Sequence, residues 1–427
     1  MKALDKFKQQ QIFKDSFWAL FGSIIGKGFS LLGGILVARM LTKDIYGEYG
    51  IIKNTLFYIA VFSTFGLGFT STRFISKYKK EAKEKVYTII QLTRLITFVT
   101  SLIMALVLLV FAKQVANFLE APHLRESLCI TSIAIVFNAI DTAQVGILSG
   151  MGAFKVNAKN TAISGIINFI LSVFFTLKFG LNGSVIALVV AFATSCLLNS
   201  ISIHNILKNF GRSYVNIKST IKELLAFSFP IALQESLYSI THWLTVSIFV
   251  KFASYGDLAL NSAAGQWQAI ILFIPGVLRN VTLSHLSGNS NNNLEHNETV
   301  NSMLKINFFS TFVPFIFVVL FSRIISSSYG PTFSDLPLIL IISVSIAIAN
   351  CLSNVYSQEF ISRGKNWFLF WSRLIKDLAI LTIVSGFLYY FEFPGALTMV
   401  TVSLIIQTAY LIALHCKYRI DHKKRNI

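Results

Sequence analysis

Hydrophobic residues in this chain gather into long runs separated by short polar stretches. Twelve runs cover approximately 16–41, 46–70, 87–111, 127–150, 157–177, 182–206, 224–250, 258–282, 304–324, 336–360, 367–390 and 395–415. About 20 apolar residues at 1.5 Å each cross the hydrocarbon core of a bilayer. The pattern therefore predicts an all-α polytopic membrane protein with twelve transmembrane helices. The longest polar interruptions, Ser71–Lys85, Leu207–Lys222 and Ser284–Asn301, leave no room for a soluble catalytic domain.

Polar residues inside the runs are not scattered. In span one, Ser16, Ser23, Lys27, Ser30 and Gly34 recur at helical spacing, on a face distinct from Trp18, Phe21, Ile24, Ile25 and Leu32. Span seven repeats the design with Ser228, Glu235, Ser239, His242 and Thr245. Span two carries Lys53 and Asn54, span three Arg94, span four Asn138, Asp141 and Thr142, and span eight Arg279. A charge near the bilayer centre costs about 2.5–3.5 kcal/mol on insertion scales, so such groups face the bundle interior or a wet cavity. Lys27, Asp141 and Glu235 are the deepest. For Lys27 and Glu235 two readings stand side by side, work on a transported substrate or a static ion pair. His242 suits hydrogen-bonded packing as well as proton coupling. Arg39 and Arg279 are close enough to span ends to snorkel to the head groups.

The charge distribution orients the chain. Of 37 Lys and Arg residues, 26 lie in the N-terminal tail, the even-numbered loops and the C-terminal tail, against 6 in the opposite loops. That asymmetry predicts both termini in the cytoplasm and a multi-pass protein of the cytoplasmic membrane. It also explains the net charge of +18 without invoking nucleic acid. Charged residues make up 13% of the chain, about half the share of a soluble domain. Met1–Lys14 is polar and the run after it is too long for a cleavable signal, so span one is expected to remain as an anchor. Cys129, Cys196, Cys351 and Cys416 lie in or beside the spans and read as small hydrophobes; neither a metal nor a cofactor is indicated.

Six spans precede the linker near Lys208–Lys222 and six follow it, which predicts two six-helix bundles, 1–210 and 211–427, in parallel orientation around a central cavity. Tyr46-Gly47-Glu48 recurs as Tyr255-Gly256-Asp257 at an offset of 209. Asn138, Asp141 and Thr142 fall on Asn350, Ser353 and Asn354 at 212, and Lys27 falls on Glu235 at 208. Gly22/Gly26 and Gly146/Gly150 are pairs suited to close helix packing. Pro230 and Pro275 lie within spans seven and eight, where a proline kinks a helix. The Gly22–Gly28 stretch is one residue short of a phosphate loop and lies in a membrane span, so no nucleotide site is read there.

Several stretches resemble one family. Ala38-Arg39-Met40-Leu41-Thr42-Lys43-Asp44-Ile45-Tyr46-Gly47-Glu48-Tyr49-Gly50, Gly66-Leu67-Gly68 leading to Thr72–Ser76, Gly146–Lys155, Phe179–Gly183 and Ser228–Ala232 are similar to the polysaccharide (O-antigen) flippases of the multidrug/oligosaccharidyl-lipid/polysaccharide (MOP) exporter superfamily. The resemblance implies two bundles working by alternating access on an undecaprenyl-diphosphate-linked oligosaccharide. It implies a cationic site for the diphosphate, which Lys27, Lys53, Arg94 and Arg279 suit, since a diphosphate in a low-dielectric site needs compensating charge. Asp141, Glu235 and His242 are then candidates for coupling to H+ or Na+, or for charge pairing. The alternatives are a multidrug/ion antiporter of the same superfamily, for which a mainly acidic site is expected, and a glycan polymerase or acyltransferase. No large extracytoplasmic loop or catalytic carboxylate pair favours the last two.

Overall fold

The computed structural model describes residue 22 and residues 24–273, 275–276 and 293–423, except 82, 209–214, 364 and 391–393. The described residues are helical throughout, apart from short turns. In chain order the helices are α1 (24–40), α2 (Lys43–Thr64), α3 (Leu67–Glu81), α4 (Lys83–Phe118), α5 (Arg125–Gly150), α6 (Phe154–Leu207), α7 (Ile217–Phe252), α8 (Tyr255–Ile271), α9 (Asn293–Leu320), α10 (Ser322–Tyr329), α11 (Leu336–Ser362), α12 (Asn366–Tyr390) and α13 (Gly395–Lys423). The described residues of all twelve predicted spans fall on helices or the short turns between them, two of the spans on the arms of α6. Gly180 divides those arms with φ 57° and ψ −131°, a conformation that only glycine adopts without strain. Among the described residues six helices are long and apolar enough to cross a membrane, or seven if α2 and α3, bent by 42°, count as one.

Side chains sort as they do in a bilayer. On α4, Thr93, Thr97, Ser101, Ala105 and Ala112 are buried, while Leu95, Phe98, Leu102, Leu106 and Val110 are exposed. Small and polar residues face the neighbouring helices and large apolar ones face outward, because lipid tails leave no hydrophobic drive for burying them. The predicted glycine pairs are crossing points. A Cβ on Gly146 would meet the Gly68 carbonyl oxygen at 2.2 Å, and one on Gly26 the Thr161 carbonyl oxygen at 2.8 Å.

Three sequence expectations change. The polar stretch after Ser71 is not a loop: α3 carries it as an amphipathic helix, with Ile75 packed on Gly150 of α5. A left-handed break at Phe65 and Gly66 (φ 47° and 68°) turns the chain into it. Second, span eight is not continuous: α8 breaks at Leu272, and helical residues resume at 273 and 275–276, with Gly276 N–H on the Leu272 carbonyl at 2.9 Å, so the bend expected of Pro275 falls just ahead of it. The side chains of Pro230 and Arg279 lie outside the described residues.

The third change is one of register. Lys43 and Tyr255 open α2 and α8, and Phe154 and Asn366 open α6 and α12; each pair is 212 positions apart. The ends of α1 and α7 share that offset. Register 212 sets Lys27 against Ser239 and Glu235 against Ser23, replacing the offsets of 208 and 209. The matched Tyr-Gly segments are instead neighbours: Gly47 packs on the Tyr255 carbonyl and Gly256 on Asp44.

Contacts divide the chain into two compact units. Unit 1 is Met1–Leu41 with Ile51–Trp243, and unit 2 is Thr42–Gly50 with Leu244–Ile427. In unit 1 an apolar cluster joins Ile75 of α3, Ile89 and Ile90 of α4, Leu148 of α5, Ile203 of α6 and Leu224 of α7. In unit 2 a cluster joins Val300 of α9, Phe360 of α11, Leu369 of α12 and Leu414 of α13.

Candidate functional site

Unit 1 holds an intramembrane polar nest among α4, α5 and α6. Asp141 of α5 is its centre. One carboxylate oxygen, Oδ1, accepts from Ser195 Oγ at 2.6 Å and from Asn199 Nδ2 at 2.9 Å, both on α6. Asn199 is 1% exposed and works in two directions, since its Oδ1 accepts from Asn160 Nδ2 at 2.8 Å. Asn160 also donates to Ser202 Oγ at 3.0 Å, which ties the two arms of α6 together. One turn beyond Asp141, Gln144 donates to Ser200 Oγ at 2.7 Å and to Cys196 Sγ at 3.6 Å. Its Oε1 is buried with no hydrogen-bond partner among the described residues, an acceptor left over one turn from Asp141. Cys196 of α6 is in electrostatic reach of both Asp141 and Arg94 of α4, which brings α4 to the edge of the nest.

Helical spacing accounts for the nest. Asp141 and Gln144 are three apart on α5, and Ser195, Asn199 and Ser202 are four and three apart on α6, so each set shares a face. Thr142 turns away: it is exposed and bonds back to the Asn138 carbonyl at 2.9 Å. The sequence reading found Asp141 and Arg94 but missed Gln144, Asn160, Ser195 and Asn199. The i, i+4, i+7 spacing on span six was the available signal.

The other expected residues of unit 1 lie elsewhere. Lys27 is on α1 and exposed, one position after the Gly26 crossing. Lys53 is half-buried on α2, after the buried Ile51 and Ile52. Arg39 is exposed in the last turn of α1. Glu235 and His242 are half-buried on α7. The His242 ring packs on Tyr58 of α2 at 5.3 Å and edge-on to Tyr238 at 5.5 Å. Beside it, Trp243 donates to Thr55 Oγ1 at 3.1 Å.

Unit 2 carries a matching bridge of different chemistry. Gln407 of α13 donates to Ser353 Oγ of α11 at 3.1 Å. Both partners are 212 positions beyond Ser195 and Asp141, so one polar bridge recurs in each repeat with the carboxylate only in unit 1. Lys376 lies inside α12, bonded to Gln407 Oε1 at 3.4 Å and paired with Asp377 at 3.2 Å.

Among solved structures, an inward-facing multidrug resistance MATE transporter of the MOP superfamily shares the fold at a TM-score of 0.78, with 15% identity over 96% of this chain and 99% of that one. A MOP superfamily transporter from Pyrococcus furiosus aligns at 0.69, with 16% identity over 97% and 95%. A MATE transporter of Vibrio cholerae aligns at 0.67, with 14% identity over 96% and 97%. No curated protein matches the sequence. The fold is thus that of MOP superfamily transporters, and this multi-pass membrane chain, matched over residues 12–278, belongs to the polysaccharide biosynthesis protein family.

Proposed function

We propose that this protein is a flippase. It carries an undecaprenyl-diphosphate-linked oligosaccharide, the repeat unit of an O-antigen, capsule or exopolysaccharide, across the cytoplasmic membrane by alternating access. Both termini are cytoplasmic on this reading, and the chain is a carrier rather than an enzyme. The observation that carries the proposal is the sign of the intramembrane charge in a polysaccharide biosynthesis family member. Lys27, Lys53 and Arg94 lie on apolar helices of unit 1, and Arg279 adds a fourth cation in sequence. Ammonium and guanidinium groups in low dielectric suit a diphosphate. The Pyrococcus furiosus relative is described as having a binding pocket of reversed polarity that suggests a different function. A charge sign that departs from a drug exporter's fits the same logic here.

Coupling is assigned to the Asp141 nest. A carboxylate oxygen held by two donors, with an unpartnered Gln144 carbonyl oxygen one turn along α5, can exchange H+ or Na+ without leaving its cradle. Glu235 and His242 are the further coupling or charge-pairing candidates. The second reading, a multidrug/ion antiporter, is favoured by the same carboxylate and by the multidrug relatives.

Proteoliposomes separate the two. The flippase reading expects a fluorescent undecaprenyl-diphosphate oligosaccharide to cross at a rate that Lys27→Ala abolishes and Lys27→Arg partly keeps. Gradient-driven efflux of a lipophilic cationic dye with no oligosaccharide flipping overturns it. Normal surface glycan in a Lys27→Ala strain with wild-type protein levels removes Lys27 from substrate binding.

A further inference from the structure

An open cavity of about 800 Å³ lies within unit 2, among α9, α11 and α13. Its lining is graded by depth. Lys305 stands at the start of span nine, and Tyr356 and His415 at the ends of spans ten and twelve, all at the end of the helices where Lys and Arg are in excess. One turn deeper, about 5.4 Å, the lining is Phe309, Leu352 and Ile412. The apolar track continues outward from the cavity along α9. Phe309, Val313 and Phe317 are 61%, 65% and 54% exposed and recur every fourth residue. At 1.5 Å per residue they make a strip of about 12 Å.

The polar end is built as well as charged. Tyr356 Oη and His415 Nδ1 are 2.7 Å apart, which fixes the imidazole and leaves Nε2 as its other ring nitrogen. Lys305 forms no ion pair with any described residue. One ammonium and one imidazole N–H match a phosphodiester with a single negative charge. A diphosphate brings at least twice that charge and calls for more cations than the cavity lining holds.

We propose that this groove binds one anionic glycerophospholipid of the phosphatidylglycerol type. Its phosphodiester lies between Lys305 and His415, and an acyl chain follows Leu352 and Phe309 onto the α9 strip. The site lies wholly in unit 2 and does not depend on glycan transport.

The test uses the full chain in phosphatidylcholine nanodiscs containing a phosphatidylglycerol probe with a photoreactive diazirine in its acyl chain. Labelled peptides around Phe309 and Ile412 are expected. Labelling should fall roughly tenfold in Lys305→Glu, the scale of one charge-assisted hydrogen bond, and persist in Lys305→Arg. Leu352→Trp, which fills the apolar end and keeps the charge, should reduce it as well. Equal labelling by a phosphatidylcholine probe, or indifference to Lys305→Glu in a variant that unfolds at the wild-type temperature, overturns the site in favour of ordinary boundary lipid. Labelling by a photoreactive polyprenyl diphosphate that phosphatidylglycerol fails to displace overturns it in favour of the carrier lipid.

Discussion

Asn199 is the residue on which the unit 1 nest turns. It gives a hydrogen bond to Asp141 and takes one from Asn160, at 1% exposure. Asn199→Ala removes one hydrogen bond from each neighbour at once, while Ser195 still holds Asp141 and Ser202 still holds Asn160; each lost bond costs about 0.5–1.5 kcal/mol, more where the carboxylate is charged. We expect a lower unfolding temperature by thermal shift, with Asn199→Gln no better because its longer chain overfills the interface. Asp141→Asn behaves differently. The amide oxygen keeps acceptor capacity for Ser195 or Asn199, so stability stays closer to wild type. What disappears is the exchangeable charge. In proteoliposomes, Asp141→Asn should flip substrate at a rate that no longer responds to an imposed H+ or Na+ gradient. A gradient response equal to wild type removes Asp141 from coupling. Asp141 was legible in the sequence because a carboxylate in an apolar run is costly. Its partners were not, since serine and asparagine are ordinary residues in membrane helices and acquire meaning only when two helices face each other.

Helices in this protein are shaped by glycine in two distinct ways, and substitutions separate them. At Gly180 the backbone is at φ 57° and ψ −131°, while a Cβ would meet nothing within 4 Å. Gly180→Ala therefore tests conformation alone, with an expected loss of about 1–3 kcal/mol from backbone strain. Gly265 is the control: it is helical, at ordinary φ, with equally open space. There alanine should be neutral or gain about 0.5–1 kcal/mol. Gly146 tests packing instead. Its missing Cβ admits the Gly68 carbonyl at 2.2 Å, so Gly146→Val must push α3 off α5, at about 1–3 kcal/mol for overpacking. Thermal unfolding of the three variants should rank Gly265→Ala above the other two. The twelve spans and the glycine crossings were readable because length and small-residue spacing are local signals. α3 was not, because Ser71–Glu81 is polar enough to read as a loop and is helical against the glycines of a distant helix.

At the scale of the whole chain, a repeat of 212 residues relates both the helix starts and the buried hydrogen bonds. The sequence carried the right offset in Asn138/Asn350 and Asp141/Ser353, but the salient Tyr-Gly and Lys27/Glu235 matches misled by three or four positions. Charged and aromatic residues catch the eye, whereas register is held by helix ends and by modest pairs such as Ser353 with Gln407. The repeats have diverged in charge. Unit 1 places a carboxylate where unit 2 places a hydroxyl, and unit 2 keeps an ammonium, Lys376, one bond beyond Gln407. That division yields a test of whether coupling belongs to the carboxylate or to its surroundings. Ser353→Asp puts a carboxylate within reach of the Gln407 amide, near Lys376, so the variant should fold and insert normally. Ser353→Leu, by contrast, leaves the buried Gln407 amide unpaired and should cost about 1–3 kcal/mol. In the double variant Asp141→Ser with Ser353→Asp, the chain keeps its charge and its bridges but moves the carboxylate to the other repeat. Arg94, Lys53 and Lys27 stay behind in unit 1, so we expect gradient-coupled flipping to remain lost although protein levels and unfolding temperature stay near those of Asp141→Ser alone. Restored coupling would show that the carboxylate works from either repeat, and the assignment of the Asp141 nest as the seat of coupling would then fail.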